Sequence, residues 1–408
     1  MSIEVQVVDR EQEACGEQEL LASREDTPAV AVARLREMLW LREVLLDLTR
    51  TCTLVQKEPG NALARFVFSS LLRRSVDGAL ERDVACDDPL LPRKDSYDRS
   101  LCSELQKNGI DEKETRRIIE ALCAASREAA VRVEAVRLNE SVATASGKSL
   151  AGFSDTVHLL QHDDKNKLIW KNEAVAISAP HLHNLRRLYG LHCVDDVDQS
   201  KFNKRLFCCI KRYDAVGGPT YQCSVTSTTF YALEAVFGDV KECFASPFNH
   251  NSAVYWSAFP DTDCFFGSHG DFFTSLNSRL VQEGGVFYAN PPFVEEYLEQ
   301  LHKVIEHVLG LAVPVTFAVV VPTWTDTKLY MWMQRSTSTQ LHLLLAAGEH
   351  EYVDGRQHID TKRWRKRHVS PFSSSFFILQ NELGSTRCKV DDEIRRHVLT
   401  SFAVRHER

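Results

Sequence analysis

Asn290-Pro291-Pro292-Phe293 is the stretch of this chain whose residue types most directly specify a reaction. The Asn290 amide oxygen and the Pro291 carbonyl are two acceptors on a backbone that proline rings hold still, and Pro292 brings no competing N–H. Such a pair suits a planar amine that donates both its hydrogens and so presents its nitrogen to an electrophile. Phe293 adds a face on which a nucleobase can stack, worth about 1–3 kcal/mol. An adenine exocyclic amine is a poor nucleophile because its lone pair is delocalised into the ring. Two fixed acceptors favour its pyramidalisation and stabilise the ammonium character that develops on nitrogen. The proton can leave after transfer, so no separate general base is required. The electrophile that fits is the methyl sulfonium of S-adenosylmethionine. The bland alternative is a proline turn joining strand to helix.

The flanking sequence positions the motif. Gly285-Val286-Phe287-Tyr288-Ala289 reads as a strand, and Leu298, Leu301, Ile305 and Val308 form the apolar stripe of a helix that opens with Glu295 and Glu296. The tetrapeptide therefore falls at the carboxyl end of a strand, where open α/β sheets bind ligands. Further strand-like runs are Lys241–Ala245, Thr316–Val321, Leu341–Leu345 and Ser374–Leu379, and helical periodicity covers Thr229–Phe237 and Pro292–Leu309. Strands alternating with helices predict a mostly parallel α/β sheet. Upstream, Thr27-Pro28 starts a helix in which Met38, Leu41, Leu45 and Leu48 recur at helical spacing. Helical signals continue through Ala62–Arg74, Ser103–Asn108 and Glu112–Asn139, before a polar break at Ser141–Gly152. Eight acids against Arg10 and Arg24 make residues 1–26 a disordered acidic tail. The expected organisation is that tail, a helical domain over 27–200 and a Rossmann-like α/β domain over 201–408.

Composition bounds the rest. With 408 residues, the chain has room for two to three domains at about 150 residues each. Apolar residues at 44% and charged residues at 26% exclude wholesale disorder. The net charge of −7 rules out whole-molecule attraction to nucleic acid, so RNA binding must come from a local patch. The 12 cysteines include no CxxC pair, which fits a reducing compartment. His181, His183, Cys193 and Cys208 match no zinc-ligand spacing, and no metal is expected. The acidic N-terminus lacks a signal region, and the apolar stretch Leu311–Pro322 is too short to cross a bilayer. A soluble intracellular protein without membrane contact is expected.

The tetrapeptide alone suits adenine methyltransferases acting on DNA and glutamine methyltransferases acting on proteins. Its surroundings are more particular. Glu242-Cys243-Phe244-Ala245-Ser246-Pro247-Phe248-Asn249 is followed by Ser257-Ala258-Phe259-Pro260-Asp261-Thr262-Asp263 and by Phe266-Gly267-Ser268. After the tetrapeptide stand Pro322-Thr323-Trp324, Glu349-His350-Glu351-Tyr352 and Gln357-His358. From Phe207-Cys208 to about Asn381 this order resembles the phosphorylated-CTD-interacting-factor family, the cap-specific adenosine N6-methyltransferases. The resemblance implies methylation of N6 on the adenosine beside the 7-methylguanosine cap of messenger RNA, and a nuclear location. It implies that Asn290, Pro291, Pro292 and Phe293 hold the target amine and the cofactor edge. Phe244, Ala245, Ser246, Pro247 and Asn249, with Asp263 and Gly267, would bind S-adenosylmethionine. No glycine run follows the first strand, but this cofactor has no phosphate to cradle. The sequence shows no WW module, so a phosphorylated polymerase tail is not expected as a partner.

A cationic 7-methylguanine is best held by an aromatic face and a carboxylate that accepts from its N1–H and N2–H. Trp324, just past a strand, is the candidate face, and Glu295 the candidate carboxylate, with Glu351 in a supporting role. Arg363 and Arg365 lie in Lys362-Arg363-Trp364-Arg365-Lys366-Arg367-His368, a basic run with an interleaved aromatic that suits RNA phosphates. Two other functions remain open at this point. One is an adenine N6-methyltransferase on uncapped RNA or DNA, and the other a catalytically silent cap- or RNA-binding module.

Overall fold

A computed structural model describes residues 25–50, 52, 55, 59–77, 88–91, 99–145, 156–162, 165–217, 222–353, 355, 358, 359 and 367–404. Four helices come first: α1 (Pro28–Leu48), α2 (Pro59–Asp77), α3 (Arg99–Lys107) and α4 (Glu112–Ala145). Thr27 caps α1 by accepting from the Val30 N–H, with Pro28 in the first turn. Met38, Leu41 and Leu45 of its stripe are buried. The α4 helix runs through the start of the expected polar break and ends at Ala145. No described helix is long and apolar enough to cross a membrane.

The span expected to be helical also holds a three-stranded antiparallel sheet, β1 (His158–His162), β2 (Lys165–Trp170) and β3 (Glu173–Ser178). Its strands are short, and β2 carries polar residues such as Lys165, Asn166 and Lys167, so the apolar pattern that marks a strand is weak. Helices α5 (Ala179–His192) and α6 (Phe202–Val216) follow.

Next come β4 (Ser224–Val225), α7 (Ser227–Phe237), β5 (Val240–Ala245), β6 (Tyr255–Ser257), β7 (Gly285–Ala289), α8 (Glu295–Leu309) and β8 (Val315–Pro322). The chain continues through α9 (Lys328–Arg335), β9 (Thr339–Leu345), β10 (Glu351–Val353), β11 (Arg367–Val369), β12 (Ser374–Gln380), α10 (Glu382–Arg387) and α11 (Asp392–Phe402). Six strands form the main sheet in the order β6-β5-β7-β8-β12-β9. The pairings of β5 with β6, β5 with β7 and β7 with β8 are parallel. The last strand, β12, inserts antiparallel between β8 and β9. All eight residues of β8 are buried, as befits a strand covered on both faces. This is a Rossmann-like α/β sheet, and each of its predicted strands matches an observed one within two residues. A second small sheet, β11-β10-β4, stands apart from it.

The helical half is fastened to the sheet by buried charge. Asp26, expected in the disordered tail, is only 2% exposed. Its carboxylate accepts from Arg34 of α1, from Arg137 of α4 at 3.0 Å and from Arg212 of α6 at 2.7 Å. Arg212 also grips Asp261, past the end of β6, at 2.7 and 2.9 Å. Burial pushes the Asp26 carboxyl up, but the three guanidiniums outweigh it and hold the group well below the usual carboxylate range. Order thus begins before Thr27, because buried arginines need the tail's last carboxylates; Glu25 likewise pairs with Arg205 at 3.0 Å. The rest of the expected tail lies outside the described residues.

Candidate active site

The strand order reverses at β5: the chain steps outward to β6, then returns to β7 on the other side. At the carboxyl ends of β5 and β7 opens a narrow, half-open crevice. This is the switch point at which open α/β sheets place ligands. Of the seven residues assigned to the cofactor, Phe244, Ala245, Ser246 and Asn249 line it, joined by Asn290 and Pro292.

The end of β5 does without glycines. Asn249 Oδ1 accepts from the Ser246 N–H at 2.7 Å and from Ser246 Oγ at 2.9 Å, closing a tight turn over Pro247 and Phe248. Asn249 Nδ2 donates to the Gln222 carbonyl at 3.0 Å. Both ends of this amide are therefore engaged, and Asn249 shapes the crevice wall more than it offers a free group.

One residue along, the same segment orients the tetrapeptide. Asn290 Nδ2 donates to the Cys223 carbonyl at 3.3 Å, which assigns the amide so that Oδ1 is the free end. Val294 N–H donates to the Pro292 carbonyl at 2.7 Å. No described residue donates to Asn290 Oδ1 or to the Pro291 carbonyl. Two acceptors remain unused in this turn, and they are the two that the sequence singled out.

Rings that sequence reasoning did not assign supply much of the lining. Phe68 comes from α2 of the helical half and meets Tyr297 of α8 edge-on, with ring centroids 6.0 Å apart. Phe244 packs on Phe272 at 5.7 Å and on Tyr297 at 6.4 Å. Tyr213 of α6 also lines the crevice. Among the described residues, no Lys, Arg or His borders it, and Asp271 is the one carboxylate in the lining. No local signal marks Phe68 or Tyr213, because each sits on a helix whose apolar spacing reads simply as core.

Asp263 and Gly267 fall elsewhere than expected. Asp263 is fully buried and accepts from the Tyr213 hydroxyl at 2.6 Å and from Thr262 at 2.9 Å. Burial raises its carboxyl to about 6, against the hydrogen bonds that lower it. It positions Tyr213 from behind and does not border the crevice. Gly267 has φ +93°, and a Cβ there would stand 2.5 Å from His192 Nε2. Its glycine serves a left-handed turn and close packing. Pro247 is likewise absent from the lining.

On the rim, Trp324 (37% exposed) meets Phe293 at 6.5 Å. Glu295 is exposed at the first turn of α8. Glu351 contrasts with both: it is buried, and its Oε1 accepts from Arg367 at 2.7 Å, so burial and the ion pair turn it toward the fold rather than the rim. Arg363 and Arg365 lie outside the described residues.

Residues 184–355 match the family model described as "Phosphorylated CTD interacting factor 1 WW domain". That description names a WW domain, which the sequence reading did not find. The matched residues run from within α5 to just past β10 and include the tetrapeptide and every lining residue of the crevice except Phe68. A Mus musculus protein named mRNA (2'-O-methyladenosine-N(6)-)-methyltransferase is 37% identical over 226 residues, covering 53% of this chain and 31% of that protein. The Homo sapiens protein of the same name is 35% identical over 224 residues, with the same two coverages. The match thus spans under a third of the length of each of these relatives.

Proposed function

We propose that this chain, whose residues 184–355 match the phosphorylated CTD interacting factor 1 family model, transfers a methyl group to N6 of the adenosine beside the 7-methylguanosine cap of messenger RNA. The observation that carries the reading is the pair of acceptors left unused by the described residues, Asn290 Oδ1 and the Pro291 carbonyl, at a crevice whose described lining carries no cation. The names of the mouse and human relatives support the same substrate.

The lining fits S-adenosylmethionine as the methyl donor. A phosphorylated cofactor needs basic side chains or a glycine-rich nest; here stand rings and one carboxylate. Faces of Phe244 and Phe68 suit adenine or a sulfonium cation, and Asp271 suits polar hydroxyl or ammonium groups. Bound there, the cofactor supplies an electrophilic methyl carbon.

The protein's own groups do the positioning. Asn290 Oδ1 and Pro291 O accept the two N–H bonds of the adenine amine and turn its lone pair toward the crevice. Their dipoles are fixed beforehand, by Cys223 on the amide and by the proline rings on the carbonyl, so little reorganisation is left for the reaction itself. Phe293 supports the base. Trp324 stacks on the cationic cap, Glu295 accepts from the guanine edge, and Arg363 and Arg365 contact phosphates. A nuclear location goes with a messenger-RNA substrate.

The test is nucleoside mass spectrometry after incubating the protein with labelled S-adenosylmethionine and a capped oligonucleotide. The expected product is N6-methylated adenosine at the first transcribed position only. Equal labelling of uncapped RNA or of DNA would transfer the assignment to a general adenine methyltransferase. Cap binding without any label would leave a silent binding module.

A further inference from the structure

We propose that Phe372 is the stacking platform for the nucleotide that follows the target adenosine. The inference rests on the reading above and extends it by one residue of RNA. Phe372 is 43% exposed, in the turn between β11 and β12, and nothing in the sequence singled it out. It meets Phe293 edge-on at 6.1 Å and 77°, much as Trp324 meets Phe293 at 6.5 Å and 68°.

Each outer ring touches Phe293, and no contact joins the outer two among the described ring pairs. Phe293 is therefore the middle member of a row. The turn that carries Phe372 is braced rather than loose. Ser370 Oγ donates to the Phe372 carbonyl at 2.7 Å, and Thr323 N–H donates to the Ser373 carbonyl at 3.0 Å. That second bond ties the turn to the residue before Trp324, so the two exposed rings are held in one frame.

Capped RNA presents its bases in a fixed order: cap, target adenosine, next nucleotide. With the target on Phe293 and the cap on Trp324, the remaining ring falls to the nucleotide on the 3′ side. Single-strand binders align successive bases on aromatic side chains in this way, without reading sequence. Large exposed rings gathered in one place also cost solubility, and a stacking ligand gives them a use.

The test pairs two perturbations and measures KM for the RNA. The first is a capped oligonucleotide with an abasic site directly after the target adenosine, and the second is Phe372→Ala. A stack worth about 1–3 kcal/mol corresponds to a 5- to 150-fold rise in KM. In the wild type the abasic site is expected to raise KM within that range while kcat changes little. Phe372→Ala is expected to raise KM similarly on the intact RNA, and the abasic site then to add nothing further. Phe372→Trp should restore the wild-type value. Additive effects of the two perturbations would overturn the inference and leave the enzymatic reading intact. Loss of cap discrimination in Phe372→Ala would also overturn it, by making this ring the cap platform. A wild-type protein that methylates neither oligonucleotide would instead sink the underlying reading.

Discussion

The crevice and its rim are both built of aromatic rings, and they use them in opposite ways. Inside, Phe68, Phe272 and Tyr297 are 5%, 1% and 3% exposed and packed edge to face. Their positions are set by the core, and they define a shape. On the rim, Trp324 and Phe372 keep much of their surface open and touch only Phe293 of the described rings. Their faces are available to another planar group. Between the two regions stands Asn290-Pro291, polar, rigid and with its free acceptors uncommitted. Under the proposed function the contrast divides the work: the crevice would select a small molecule by shape and charge, the rim a polymer by stacking, with the tetrapeptide joining them.

That division fixes what each substitution should change. Asn290→Ala removes one preorganised acceptor and is expected to lower kcat by about 100- to 1000-fold, while binding of capped RNA by fluorescence anisotropy stays near wild type. A fall in RNA affinity with turnover preserved would move Asn290 from the chemistry to the rim. Trp324→Ala should raise KM for capped RNA about tenfold or more and leave uncapped RNA unaffected. A smaller effect of the opposite kind is expected for Phe68→Ala. The affinity for S-adenosylhomocysteine, measured by calorimetry, should fall by roughly 5- to 10-fold for one lost aromatic contact, with KM for RNA unmoved. Should RNA binding change instead, the line between crevice and rim has been drawn in the wrong place.

The subtlest effect concerns pH. Glu242 of β5 is buried, and burial raises its carboxyl to about 7 although the Asn251 and Ser252 N–H groups favour the anion. The native protein then binds a proton that the unfolded chain releases near its ordinary value of 4.5. Stability from this group is complete below that value and is lost as pH rises toward 7. Loss of up to about 3 kcal/mol follows from a shift of this size. Glu242→Gln should flatten the decline of Tm across that window, whereas a steeper decline would contradict the assignment. Asp263, raised to about 6, adds a drop of the same sign.

Much of this architecture is legible in the chain because it is local. Strand β7, the proline turn and the α8 stripe lie within 25 consecutive residues, and periodicity plus proline chemistry read them directly. The free state of Asn290 Oδ1 and Pro291 O was anticipated from types alone; the Cys223 carbonyl that orients the amide was not, since it lies 67 residues away. Phe68 reaches the crevice from the helical half, and only tertiary packing distinguishes it from its buried neighbours. Asp263 shows the same limit in reverse: a carboxylate in a promising loop turns inward to Tyr213, while Asp271, further on, faces the crevice. Strands β1 to β3 escaped notice because mixed polar residues blur a two-residue period.

The central claim is that two uncommitted oxygens receive a single adenine amine at the mouth of the crevice. A crystal structure with S-adenosylhomocysteine and a capped oligonucleotide tests it most directly. The account predicts N6 of the first transcribed adenosine within about 2.7–3.2 Å of both Asn290 Oδ1 and the Pro291 carbonyl, with its base over Phe293. An adenosine bound elsewhere, or Asn290 Oδ1 turned back onto the protein in that complex, would contradict it.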